Sequence, residues 1–179
     1  MTQAEGQAPT RSRTYSWSDP AATVAALGNR PGAAVLTAIA DGELPPPPIM
    51  ATLGIEGVLF EPGRAVFCLV PDEMHYNPLG SVHGGVIATL LDSAAGCAVH
   101  SVLPAHMAYT SIDLTTKYLR PVTADTGRVT AEGKILSRGI RTALAEARLT
   151  DDDGRLLAHA TSTCLLFPLG PPGDPNGRG

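Results

Sequence analysis

Between Asn77 and Asp92 the chain gathers an amide, an imidazole, paired glycines and a carboxylate: Asn77, His83-Gly84-Gly85 and Asp92. Asp92 is the only acidic residue from His83 to Ser101, and no Lys or Arg falls in that stretch. Burying an unpaired carboxylate is costly, so Asp92 needs either a partner or a use. One use is as a base that takes a proton from water. His83-Gly84-Gly85 marks a helix start, where free N–H groups and the helix dipole favour negative charge. An acyl carbonyl set against the Gly84 N–H would have its developing oxyanion stabilised there. The missing side chain lets a reacting group approach that backbone closely. A carboxylate, an oriented water and an oxyanion donor suffice to open an activated acyl bond. Each residue alone has a plainer reading. Asp92 could pair with an arginine or cap a loop, His83 could bond the first turn of a helix, and Asn77 could be a turn residue before Pro78.

Other chemistries find little support. The chain has no G-x-S-x-G, G-x-x-x-x-G-K or H-E-x-x-H pattern, and Ser81 in Gly80-Ser81-Val82-His83-Gly84 is out of register for a nucleophile elbow. His75, His83 and Asp92 match no recurring metal spacing, so neither a metal nor a resident cofactor is expected. Cys68, Cys97 and Cys164 are widely spaced in apolar runs and read as reduced core residues of a cytoplasmic protein. With 44% apolar and 17% charged residues and a net charge of −4, the chain has no basic block for nucleic acid. The first twenty residues lack the apolar run of a signal peptide. Gly84 to Val102 is nearly long enough to cross a bilayer, but Asp92, His100 and three glycines make it a buried core helix instead.

The elements that must position these residues follow from punctuation and period. Residues 1–18 show no period and are expected to be a disordered tail. Asp19-Pro20 starts a short helix over 20–27, and Ala33 to Ala40 forms a second. Pro45 to Pro48 is expected to be a stiff extended spacer, closing a helical preface over 19–49. Strands are expected at Thr52–Phe60 and Arg64–Val70 around Pro62-Gly63, then the long helix from Gly84, then strands at Tyr109–Leu119, Arg128–Leu136, Arg141–Thr150 and Leu156–Phe167. Asp151-Asp152-Asp153-Gly154 is a hairpin signal between the last two. Residues 168–179, rich in Pro and Gly, read as a second tail. The long helix is apolar nearly all round, so it must be surrounded; an antiparallel sheet curled about it is the simplest α+β solution. Small residues on the Asp92 side (Gly85, Ala88, Gly96) imply a close approach there by a partner chain or a substrate.

Taken together, Asn77 to Gly85 and Leu91-Asp92 resemble the hot-dog-fold acyl-CoA thioesterases of the phenylacetate-pathway (PaaI-like) branch. The resemblance extends to Tyr118-Leu119-Arg120-Pro121, Gly127-Arg128-Val129 and the last hairpin, over residues 50–167. It implies a curled sheet around one helix, and hydrolysis of an aryl- or medium- to long-chain acyl-CoA, with CoA as part of the substrate. It further implies that Asp92 acts as base or nucleophile, that the Gly84 N–H polarises the carbonyl, and that Asn77 positions water or thioester beside His83. Ser111, or its neighbour Thr110, would assist. The resemblance places such sites at the interface of a homodimer or dimer of dimers, aspartate from one chain and glycine from the other. It suggests Arg120, Arg138, Gly139 and Arg141 for the CoA moiety, though solvated surface arginines would look the same. A non-catalytic acyl-CoA-binding or sensing protein, or a hydratase or dehydratase on the same fold, is the alternative.

Overall fold

The computed structural model describes residues 10–169. Helices α1 (Ala21–Asn29), α2 (Gly32–Ala40) and α3 (Pro48–Leu53) precede strands β1 (Ile55–Glu61) and β2 (Arg64–Leu69). The long helix α4 (Gly84–His100) follows, then β3 (Met107–Ser111), β4 (Thr115–Tyr118), β5 (Val129–Arg138), β6 (Thr142–Thr150) and β7 (Leu156–Pro168). The strands form one antiparallel sheet in the order β1-β2-β5-β6-β7-β3, with β4 also paired to β7. This is the hot-dog arrangement: the sheet curls around α4, whose Leu90, Leu91, Ala94, Ala95 and Ala98 are fully buried.

Alanines decide how deeply the helix sinks. Ala131, Ala145, Ala147, Ala158 and Ala160 on the inner face of β5 to β7 are all fully buried. Among the strands the approach is closest at Gly133 of β5: a Cβ there would lie 2.1 Å from the Ala94 carbonyl oxygen. On the opposite side Gly96 abuts the Tyr109 ring, also within the chain, where a Cβ would come 2.4 Å from the hydroxyl.

Three elements differ from the sequence expectation. The stiff spacer ends early and the first strand begins late, because Pro48 opens a helical turn. A proline there lacks an N–H that would be unbonded anyway, and Gly54 closes the turn in the left-handed region (φ 71). The expected strand Tyr109–Leu119 is broken in two. At the break Asp113 accepts from Ser162 Oγ with its carbonyl and from the Thr163 N–H with its carboxylate, at 2.9 and 3.0 Å, in place of a regular ladder. Ile112, beside the break, is exposed. Of the first expected tail, residues 10–18 lie against the fold, where the Arg13 guanidinium donates to the Ala51 and Thr52 carbonyls at the end of α3. The rest of that tail, and residues 170–179 of the second, lie outside the described residues.

The preface packs on the sheet and on α4. Gly32 begins α2 directly against the end of α4: its N–H donates to the Leu103 carbonyl at 2.9 Å, and a Cβ would lie 1.8 Å from the His100 oxygen. Val35, Leu36 and Ala38 turn their faces inward and are buried.

Candidate active site

Asp92 lies at the midpoint of α4 and is partly exposed. Ser111, the last residue of β3, donates its hydroxyl to Asp92 Oδ1 at 2.8 Å. This hydrogen bond holds one carboxylate oxygen and leaves Oδ2 for another proton. The expected neighbour Thr110 points elsewhere, as strand alternation requires; it is exposed and makes no contact with Asp92.

Beside Asp92 opens an apolar cavity of about 200 Å³ lined by Leu36, Ile39, Met50, Phe60, Phe67 and Tyr109, among others, with Ser93 and Cys97 near the carboxylate. Burial pushes the Cys97 thiol up to about 12, helped by the charge of Asp92, although contact with the Tyr109 hydroxyl pulls the other way. The Tyr109 hydroxyl is held well above its usual value, chiefly by burial and then by Cys97 and Asp92. Both groups are therefore neutral hydrogen-bonding atoms at neutral pH, and Asp92 is the one base on this wall.

Gly84 is at the other end of the site. His83 caps α4, its Nδ1 accepting from the Gly85 N–H at 2.9 Å, and its own N–H donates to the His75 carbonyl. Gly85 is thereby satisfied, while the Gly84 N–H meets no acceptor among the described residues. The Tyr118 hydroxyl donates to the Gly84 carbonyl at 3.0 Å, and its ring sits where a Cβ on Gly84 would be crowded at 3.2 Å. Asn77 organises the preceding loop. Its Oδ1 accepts from the Leu79 and Ser81 N–H groups and its Nδ2 donates to Ser81 Oγ, which leaves one amide hydrogen uncommitted. His75 spends both ring nitrogens on backbone groups, at Asp72 and Leu53.

Asn77, Gly84, Tyr118 and Arg120 line one groove of about 360 Å³. Arg120 is exposed and donates to the Leu156 carbonyl. Arg138, Gly139 and Arg141 form the exposed β5–β6 turn, and neither arginine side chain has a partner among the described residues. The structure does not bring these basic groups together. Arg120 is tied by its N–H to Leu157 and Arg141 by its carbonyl to Leu166, opposite ends of β7 and about 30 Å apart at the rise of a strand. Gly84 and Asp92, eight residues apart on one helix, are likewise separated by about 12 Å of rise. Sequence reading missed the contribution of Leu36, Ile39 and Met50, whose only signal was the apolar character of the preface.

A helix wrapped by a curled sheet, with a hydroxyl-held carboxylate at its midpoint and an open N–H at its start, defines the hot-dog class of acyl-thioester enzymes. A family model described as the thioesterase superfamily matches residues 79–158. The 1,4-dihydroxy-2-naphthoyl-CoA hydrolase of Listeria monocytogenes is 31% identical over 119 residues, 66% of this chain and 94% of that protein. The medium/long-chain acyl-CoA thioesterase YigI of Salmonella typhimurium is 36% identical over 98 residues, 48% of this chain and 62% of that protein. Among solved structures, a mutant of the phenylacetic acid degradation protein PaaI of Thermus thermophilus superposes with a TM-score of 0.61 at 29% identity, over 66% of this chain and 98% of that one. The chain belongs to the thioesterase superfamily and is a thioester hydrolase. No helix among the described residues is long and apolar enough to cross a membrane.

Proposed function

We propose that the chain hydrolyses an acyl-CoA thioester to the free acid and CoA, with Asp92 as the base. The observation that carries this reading is the Ser111-held carboxylate of Asp92 at the mouth of an apolar cavity, on the same helix as the open Gly84 N–H. Asp92 Oδ2 takes a proton from water as the oxygen attacks the thioester carbonyl carbon. The carbonyl oxygen becomes an oxyanion and accepts from the Gly84 N–H. Collapse breaks the C–S bond, and the proton held by Asp92 returns to the departing thiolate. Direct attack by Asp92, through an anhydride, would use the same atoms.

Because Gly84 and Asp92 are about 12 Å apart along α4, one carbonyl reaches both only if a second copy of the chain contributes one of them. A two-fold axis that sets the start of one α4 beside the midpoint of the other does this twice. It also moves the Arg120 groove of one copy toward the cavity of the other. We therefore place the active unit as a homodimer, or a dimer of dimers. Arg120 or the Arg138-Gly139-Ile140-Arg141 turn would meet the CoA phosphates, and the cytoplasm is the expected compartment. Asn77 and His83 serve by shaping the loop and helix start that present Gly84.

The test is release of CoA thiol from a panel of aryl- and fatty acyl-CoAs by wild type, Asp92→Asn and Gly84→Pro. Proline is tolerated at the first helical position and removes the N–H; its ring carbons also press on Tyr118, which a Cβ would meet at 3.2 Å, so a thermal melt of each variant accompanies the assay. Asp92→Asn should lower kcat by about 10²–10⁴-fold, and Gly84→Pro by about 10²–10³-fold. Refolding the two inactive variants together should restore up to about a quarter of the wild-type rate, since mixed dimers rebuild one intact site. An Asp92→Asn variant that keeps most of its activity would falsify the base assignment. Tight binding of the esters with no turnover over hours would favour a binding protein instead.

A further inference from the structure

The cavity beside Asp92 is not made by the sheet and helix alone. Of its lining, Leu36, Ile39, Pro47, Ile49 and Met50 come from the preface and the start of α3, facing Phe60 and Phe67 of the first hairpin. The preface is held in place at both ends. Gly32 is wedged against His100 and Leu103 at the end of α4, and Arg13 clamps the carbonyls that end α3. Between them the Thr23 hydroxyl donates to the Pro45 carbonyl at 2.8 Å, tying α1 to the proline run. Native interiors leave few voids larger than a water molecule. A void of about 200 Å³ walled on one side by aliphatic and aromatic carbon, and on the other by the catalytic carboxylate, is a place for a ligand.

We infer that the preface is the acyl-specificity element: Leu36, Ile39, Ile49 and Met50 close the pocket that receives the acyl group while its thioester lies at Asp92. This rests on the hydrolase reading above and adds the substrate class to it. The volume decides the class. A dry apolar cavity of about 150 Å³ holds one benzene ring, so about 200 Å³ admits a single ring with a one- or two-carbon linker. Counted in groups the size of a water, about 30 Å³ each in the liquid, the same space takes about seven carbons, the tail of an octanoyl group whose carbonyl lies outside at Asp92. A fused bicyclic acyl group or a sixteen-carbon chain exceeds it. The pocket offers no charged group other than Asp92, so acyl groups carrying a distal carboxylate are disfavoured; burying that second negative charge near the first would be costly. The neutral Tyr109 hydroxyl and Cys97 thiol are the polar atoms available to a ring substituent.

Ile39 and Met50 are the residues to change, because both are only partly buried while Leu36 is 5% exposed and belongs to the core. The wild-type chain should prefer phenylacetyl-CoA and octanoyl-CoA to palmitoyl-CoA. Ile39→Trp, which fills the pocket, should lower kcat/KM for phenylacetyl- and octanoyl-CoA by more than about 10-fold and leave acetyl-CoA nearly unchanged; a methylene's worth of lost room is already worth about 10-fold. The double variant Ile39→Ala, Met50→Ala should raise the dodecanoyl-to-hexanoyl ratio of kcat/KM by about 10-fold. Thermal melting of each variant accompanies the kinetics, and acetyl-CoA turnover shows that the catalytic groups are intact. If wild type turns over acyl-CoAs but neither variant moves the chain-length profile, the preface does not hold the acyl group, and the hydrolase reading survives. Uniform loss on every substrate, acetyl-CoA included, with melting unchanged, also overturns it. If wild type turns over none, both inferences fall together.

Discussion

Ser111→Ala removes the hydroxyl that donates to Asp92 Oδ1 at 2.8 Å. A hydrogen bond to an ionised acceptor contributes about 1.5–3 kcal/mol. Asp92 is partly exposed, so water replaces part of the loss, and the lower end of that range, about 1.5–2 kcal/mol, applies. If the bond keeps Oδ2 aimed at the attacking water, that energy is lost in the transition state. At about 1.4 kcal/mol per decade, kcat should then fall by about 10–30-fold. KM should move little, because the hydroxyl is not part of the acyl cavity wall. Ser111→Thr restores the hydroxyl on a residue that suits a strand and should recover most of kcat. The assay is initial-rate thiol release on the preferred acyl-CoA, with a thermal melt of each variant. The reasoning fails if Ser111→Ala keeps kcat within about two-fold of wild type, or if Ser111→Thr is as slow as Ser111→Ala.

Two further outcomes concern stability. Gly133→Val forces carbon into the 2.1 Å gap beside the Ala94 carbonyl; it should cost about 1–3 kcal/mol or more, read by urea unfolding, and an unaltered midpoint would contradict the packing described. His100 is buried with neither ring nitrogen hydrogen-bonded to any of the described residues, and burial holds it below its ordinary value of 6.5. The unfolded chain therefore binds the proton first as pH falls through about 6.5, so wild-type stability should drop from there toward the lower folded value. His100→Phe removes that group, and its stability should depend less on pH over the same window; equal slopes for the two proteins would reject the assignment.

Much of the candidate site was legible because its residues are local in sequence. Asn77, His83, Gly84 and Asp92 are joined by one loop and one helix, and helix geometry alone fixes their order. Ser111 was reachable only through the family resemblance, which put it early in the strand after the helix; the structure makes it the last residue of β3. The helix over Pro48–Leu53 was hidden by the proline run, since the same residues read as extended chain until Gly54 supplies the left-handed stop. The break between β3 and β4 was equally hidden: the alternation around Ile112 is regular, and only the tertiary bonds of Asp113 to β7 interrupt it. The small-residue side of α4 was legible as a place of close approach, but not that Tyr109 of the same chain fills it at Gly96. The role of the preface depends wholly on long-range packing, and no periodicity announces that Ile39 and Met50 face Asp92 across a void.

The wedge of Gly32 against the end of α4, with Val35, Leu36 and Ala38 buried beside it, seats the preface on the rest of the fold. The pocket wall contributed by residues 36–50 and the proposed reacting groups in 77–111 occupy separate lengths of chain. Changes can accumulate in the first without disturbing the second, so a lineage could exchange its substrate by recombination at the gene segment upstream of β1. A chimaera carrying the preface of a relative with another substrate would keep its chemistry and inherit a new appetite.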